Sequence, residues 1–135
     1  MEFVHTGIYD ISASFDLVTI TIGTLSWMPD LPRFFEIVAG LLRPAGRLFL
    51  YERHPITEML TVGAAGDPVE FEISYFSREP FVEQDGLDYY GSEDYAAKPA
   101  TSFMHKISDV ITAGVHQGLA VEMFEELPDP ISTTW

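Results

Sequence analysis

Cysteine is absent from this chain of 135 residues. That excludes a disulfide framework and thiolate chemistry, and makes a cytoplasmic setting the simplest expectation. Cations are scarce: seven Lys and Arg stand against 21 Asp and Glu, for a net charge of −14. Nucleic-acid binding depends on neutralising phosphates with Lys and Arg, so this balance argues against it. The acidity reads first as a solvated, soluble surface, since net charge speaks to solubility rather than to fold. No uninterrupted apolar run approaches the ~18 residues that a membrane-spanning helix requires. The opening Met-Glu-Phe-Val-His has neither a basic region nor a cleavage-like site, and so does not read as a signal peptide. A Gly-x-Ser-x-Gly elbow is missing, which removes a hydrolase of that type. His5, His54, His105 and His116 show no metal-ligand spacing, so no metal is expected. A dinucleotide fingerprint is also missing, which leaves a Rossmann dehydrogenase without support.

What is present is apolar and aromatic. Hydrophobic residues make up 47% of the chain, with ten Phe, six Tyr and two Trp, enough for a packed core and too many for a disordered segment. Phe3 to Tyr9 suits a short strand. Phe15 to Ile22 is rich in β-branched residues and reads as a buried strand. Asp30 is placed to cap a helix whose first turn accepts Pro32. Leu31, Phe34, Phe35, Val38, Leu41 and Leu42 follow at steps of three and four, putting six apolar side chains on one helical face. Arg43-Pro44-Ala45-Gly46 ends that helix, and Arg47 to Tyr51 is a second short apolar strand. Two apolar strands joined through a helix predict a right-handed parallel β-α-β unit.

The organisation expected is one α/β domain: a parallel core over residues 1–60, an insertion or lid of β-hairpin character over 61–101, and a helix with a final strand over 102–135. Within the insertion, Val69 to Phe76 alternates apolar and acidic residues as a half-wet strand does, and Leu87 to Tyr95 is aromatic and acidic. Ile107, Val110, Ile111 and Val115 mark the later helix, which Gly118 stops. Leu119 to Phe124 is the expected last strand.

The stretch FDLVTITIGTLSWMPDLPRFFEIVAGLLRPAGRLFLYERHP, residues 15–55, resembles the fourth strand, following helix and fifth strand of the Rossmann-like S-adenosylmethionine-dependent methyltransferases. Its family-like features are the Phe-Asp-Leu-Val strand and the Leu-Leu-Arg-Pro-Ala-Gly-Arg-Leu turn at residues 41–48, where Ala45 replaces a usual Gly. If position 45 needs a positive φ, the Ala costs about 1 kcal/mol or more. The resemblance implies a partial doubly wound, mainly parallel sheet, S-adenosylmethionine as cofactor and a small-molecule methyl acceptor. The family's Gly-rich cofactor turn has no counterpart among these residues. That implies an incomplete site, completed by a missing N-terminal half or accompanied by homo-oligomerisation or a rearranged sheet. A non-catalytic remnant serving as a partner chain is the alternative.

By the same resemblance, Asp10 accepts from the adenine amino group and the Ile11 N–H meets a ring nitrogen. Gly23, Thr24 and Leu25 line the sulfonium, and Trp27 walls cofactor or substrate. In doubly wound sheets ligands lie outside the carboxyl ends of the strands, which also selects Glu52 and His54. Glu52, Tyr75 and Tyr89 are substrate-side candidates. His54 and His105 are candidate general bases, because imidazole titrates near neutrality. The plainer readings stay open: an Asx turn for Asp10, a core tryptophan for Trp27, a turn residue for His54, and hairpin packing or a dimer surface for the aromatic cluster.

Overall fold

The computed structural model describes residues 5–61, 68–85 and 96–128. The chain is mixed α/β, and its best-formed part is the expected parallel unit. Strand β1 (Phe15–Ile20) leads through a loop to helix α1 (Leu31–Leu41), which passes without a linker into strand β2 (Leu42–Leu50). The two strands pair in parallel, with Leu17 opposite Arg47 and Ile20 opposite Leu50. The Tyr51 N–H donates to the Ile20 carbonyl at 2.9 Å and extends the pairing by one residue.

The ends of α1 follow from its sequence. The Asp30 carboxylate accepts from the Arg33 N–H at 2.9 Å, satisfying a donor that the helix itself leaves unpaired, and Pro32 sits in the first turn. Leu31, Phe34, Phe35, Val38 and Leu41 are all buried. They form one core with Ile20, Leu25 and Ala113, against which Ile8, Val18, Met28, Leu48, Leu50, Val110 and Leu119 are partly packed. Leu42, the sixth residue of the apolar stripe, instead ends the helix and begins β2 with extended backbone (φ −88°, ψ 136°).

Between Leu42 and Arg47 the register with β1 jumps: Phe15 faces Leu42, yet Leu17 faces Arg47. The intervening Arg-Pro-Ala-Gly turn bulges out of the ladder, and Ala45 has φ +63°. A Cβ on Gly46 would stand 2.9 Å from the Arg43 carbonyl oxygen and 3.0 Å from that of Phe15. Both obstacles are backbone, so glycine is required at 46 by close approach, while 45 bears the left-handed strain. Ala45→Gly is therefore expected to raise stability by about 0.5–1 kcal/mol, the relief of strain exceeding glycine's extra unfolded-state entropy. Urea denaturation checks this, and an unchanged or lowered midpoint would contradict it.

Helix α3 (Ile107–His116) packs on α1. Its closest approach uses Ala113 and Gly114, both buried; a Cβ on Gly114 would meet the Phe35 ring at 3.6 Å. Gly118, at φ +83°, ends the helix as its position predicted. The remaining pieces are small. Helix α2 (Ile56–Met59) follows β2; β3 (Leu60–Thr61) pairs antiparallel with β4 (Glu70–Phe71), and β5 (Phe81–Asp85) pairs antiparallel with β6 (Ala96–Ser102). This second pair is antiparallel, and the residues that join its strands lie outside the described residues. Among the described residues no helix is long and apolar enough to cross a membrane.

Three expected strands differ. Over residues 5–9 there is no strand; a 3-10 turn spans Ile8–Asp10, closed by the Asp10 N–H donating to the Gly7 carbonyl at 2.9 Å. Ile8 alone of this stretch packs on the core, and no neighbouring strand offers its backbone a ladder. Of Val69 to Phe76, Glu70 and Phe71 pair with β3 and the Glu72 N–H donates to the Met59 carbonyl at 2.9 Å, while Ile73 to Phe76 pair with no strand among the described residues. Leu119 to Phe124 forms no strand: Leu119 folds back on the core, its N–H donating to the Gly114 carbonyl at 3.2 Å, and residues 120–128 are exposed. Leu87 to Tyr95, Tyr89 included, lies outside the described residues.

Candidate functional site

The carboxyl ends of β1 and β2 open onto one loop, Thr21 to Met28. A 3-10 turn at Leu25–Trp27 gives it shape, with the Trp27 N–H donating to the Thr24 carbonyl at 3.2 Å and the Thr24 hydroxyl donating to the Thr21 carbonyl at 2.7 Å. Gly23 takes φ +84°, and a Cβ there would meet no atom within 4 Å. Its outer side is therefore open space at the end of the sheet. Leu25 is buried in the core, which pins the loop from below.

Glu52 holds the loop from the side. Its Oε2 accepts from the Gly23 N–H at 2.7 Å and its Oε1 from the Leu25 N–H at 2.9 Å, so one carboxylate, half-buried at the end of β2, takes two backbone donors from the end of β1. Charge-assisted hydrogen bonds of this kind are about twice as strong as neutral ones. The sequence placed Glu52 on the substrate side of this crevice; in the fold its oxygens face the protein's own loop. Strand alternation could not reveal this, since the partners lie 27 and 29 residues away.

A third restraint comes from the chain leaving β6. The Phe103 N–H donates to the Ser26 carbonyl at 2.8 Å, and His105 Nε2 lies 2.9 Å from the Met28 carbonyl oxygen. A carbonyl only accepts, so Nε2 carries the proton and Nδ1 is the acceptor nitrogen of this imidazole. The ring stacks on Phe103 at a centroid distance of 6.4 Å. Gly23, Thr24, Leu25, Trp27, Glu52 and His105 are thus gathered about one loop. Trp27 is 47% exposed there, so it is not a core tryptophan.

The other candidates stand apart. His54 Nδ1 accepts from the Ile56 N–H at 3.1 Å, and Nε2 lies 2.9 Å from Glu126. Both ring nitrogens are occupied, so His54 serves as a tie between α2 and the C-terminal segment. Tyr75 accepts from the Ile107 N–H through its hydroxyl at 3.1 Å, filling a donor position at the start of α3. Asp10 and Ile11 belong to the segment that borders a shallow groove of about 400 Å³ beside Ile37, Gly40 and Leu41 of α1, and this groove shares no lining residue with the Gly23 loop. The Arg33 guanidinium, pushed further up by the Glu36 carboxylate it donates to at 2.6 Å, lies on the solvent side of α1 and away from the loop. Among the described residues no three His, Asp or Glu side chains converge as a metal site would require.

The chain matches no family model, no curated protein and no solved structure.

Proposed function

We propose that this chain forms one wall of an S-adenosylmethionine-dependent methyl-transfer site acting on a small molecule, built on a partial Rossmann-like doubly wound sheet. The observation that supports the reading is the pairing of parallel β1 and β2 with their carboxyl ends joined at one loop through Glu52, Gly23 and Leu25. Ligands of open parallel sheets lie at such ends. The open space over Gly23 and the exposed Trp27 fit a cofactor laid across the loop. Thr24 and Leu25 would line it, with Asp10 and Ile11 assigned to its adenine by resemblance alone.

When bound, S-adenosylmethionine supplies a methyl group on a sulfonium, which an in-line nucleophile takes as the carbon–sulfur bond breaks. Placement contributes most to such a reaction, so a base is optional. The protein's part is to hold the loop rigid and narrow the approach. His105 retains an acceptor nitrogen for the acceptor's proton, whereas His54 has none to offer. The Gly-rich turn that grips the cofactor's amino-acid end in the family has no counterpart here, so the site is incomplete and its affinity low. A non-catalytic partner chain is the second reading, favoured by Glu52 already occupying the two loop donors.

Titration with S-adenosylhomocysteine, followed through backbone amide resonances, tests the proposal. The expected shifts concentrate at Gly23 to Trp27, with a dissociation constant near or above ~1 mM, equivalent to no more than about 4 kcal/mol of binding. Shifts absent from that loop at saturating ligand would end the methyl-transfer reading. Micromolar affinity would instead overturn the incompleteness.

A further inference from the structure

Helix α3 begins without a cap of its own. Lys106 occupies the N-cap position with extended backbone (φ −67°, ψ 146°), and its side chain, which has no acceptor, makes no capping bond. The first N–H groups of a helix have no partner inside it, and one of these is met from elsewhere in the chain. The Ile107 N–H donates to the Tyr75 hydroxyl at 3.1 Å, across 32 residues of sequence. Phe76 adds a second hold: its ring centroid lies 5.8 Å from the Lys106 ammonium, within the ~6 Å at which a ring attracts a cation. The Tyr75 and Phe76 rings stand edge to face at 5.4 Å, and the turn that carries them is closed by the Ser77 N–H donating to the Ser74 carbonyl at 2.9 Å. Tyr75 and Phe76, between β4 and β5, thus grip the start of α3.

The residues just before that grip hold the loop. The Phe103 N–H takes the Ser26 carbonyl and His105 Nε2 takes the Met28 carbonyl, one on either side of Trp27. Glu52 restrains the loop by its N–H groups; residues 103 and 105 restrain it by its carbonyls. One run of half-buried residues, 103–107, therefore meets Tyr75 at one end and the Trp27 loop at the other. Only Lys106 separates His105 from Ile107. Successive Cα atoms stand a fixed distance of about 3.8 Å apart across planar peptides, so the imidazole and the first turn of α3 have little freedom to move independently. We propose that Tyr75 is a positioning residue for the loop: by seating the first turn of α3 it holds His105 against Met28 and fixes where the Trp27 indole stands. The sequence placed Tyr75 on the substrate side of the crevice; the geometry has it act from a distance, through His105. The use of a fixed indole to a ligand rests on the methyl-transfer reading, whereas the link itself does not.

The link is read without ligand. The chain has two tryptophans, so in a Trp135→Phe background the indole N–H resonance belongs to Trp27 alone. Tyr75→Phe keeps the ring and removes only the hydroxyl. It should speed amide exchange at Ile107 roughly tenfold, as the loss of one ordinary hydrogen bond does, and at Phe103 about threefold. It should also move the Trp27 indole resonance toward the position found in His105→Ala. His105→Gln, whose amide nitrogen can donate to Met28 in place of Nε2, should hold that resonance near its wild-type position. In the His105→Ala background Tyr75→Phe should add nothing further at Phe103, because residues acting through one chain of contacts are not additive. Were Tyr75→Phe to unfold the chain, Phe76→Leu, at an exposed position, carries the same test. A variant that alters Ile107 alone, with Phe103 and the indole unmoved, would make Tyr75 a helix cap and nothing more, and overturn the proposal; full additivity with His105→Ala would do the same. Absence of loop shifts with S-adenosylhomocysteine while the link is intact would count against the methyl-transfer reading only.

Discussion

Phe35→Ala is expected to lose about 3–5 kcal/mol of stability, a large share of the roughly 5–15 kcal/mol that holds a small domain together. Phe35 is 2% exposed, sits edge-on to Phe34 at 5.6 Å and meets α3 where that helix has only Ala113 and Gly114 to present. Truncation opens a cavity between α1 and α3 that small residues cannot refill. The loss should therefore exceed the transfer term alone, since the cost grows with the void that persists. Phe71→Ala, a phenylalanine 67% exposed on the two-residue strand β4, should change stability by less than about 0.5 kcal/mol. The pair separates burial from residue type. A loss below about 1 kcal/mol for Phe35→Ala in urea denaturation would mean that the two helices do not pack as described.

The same residues mark how far local pattern reaches. Helix α1 was legible because its signals agree: a cap at Asp30, Pro32 in the first turn, and apolar steps of three and four that coincide with the buried positions through Leu41. Its strands were legible because a β-branched run before a helix and an apolar run after it have few other arrangements. Helix α3 was legible as a helix and in part of its contact face: of Ile107, Val110, Ile111 and Val115, Val110 packs on the core, but the fully buried residues are Ala113 and Gly114, and Val115 is half exposed. There the packing selects small volume over hydropathy, because a phenylalanine from α1 fills the gap. The described residues 5–9 and Leu119 to Phe124 belong to runs of strand-like composition and have no ladder; a strand exists only where a neighbour accepts its hydrogen bonds, which composition cannot announce. Among the strand-end candidates, the sheet rule named Gly23 and Glu52, which meet, but also Asp10 and Ile11, which stand on a separate turn, and it gave no orientation. Glu52 and His54 stand two apart at one strand end, yet one turns to the Gly23 loop and the other to Glu126, by partners 27 to 29 residues away in the first case and in the C-terminal segment in the second.

Glu52→Ala should release the loop while leaving the sheet standing. The carboxylate accepts from Gly23 and Leu25 together, and hydrogen bonds to a charged group contribute about 1.5–3 kcal/mol each when well buried. This one is only half-buried, and water replaces part of what is lost, so about 2 kcal/mol of local stability is the expected change. Amide hydrogen exchange at Gly23 and Leu25 should accelerate by roughly thirtyfold, while the Tyr51 amide, donated to Ile20 within the ladder, changes little. Glu52→Gln is the sharper variant. Its side chain has one acceptor oxygen where the carboxylate has two, and its amide nitrogen only donates, so one loop N–H must face another donor. It should therefore recover less than half of the protection even though its shape is conserved. The loop shifts induced by S-adenosylhomocysteine should fade in both variants if a fixed loop is what the ligand meets. Exchange at Gly23 and Leu25 as fast in the wild type as in Glu52→Ala would remove Glu52 from this role, and with it the rigid platform that the proposed in-line transfer requires.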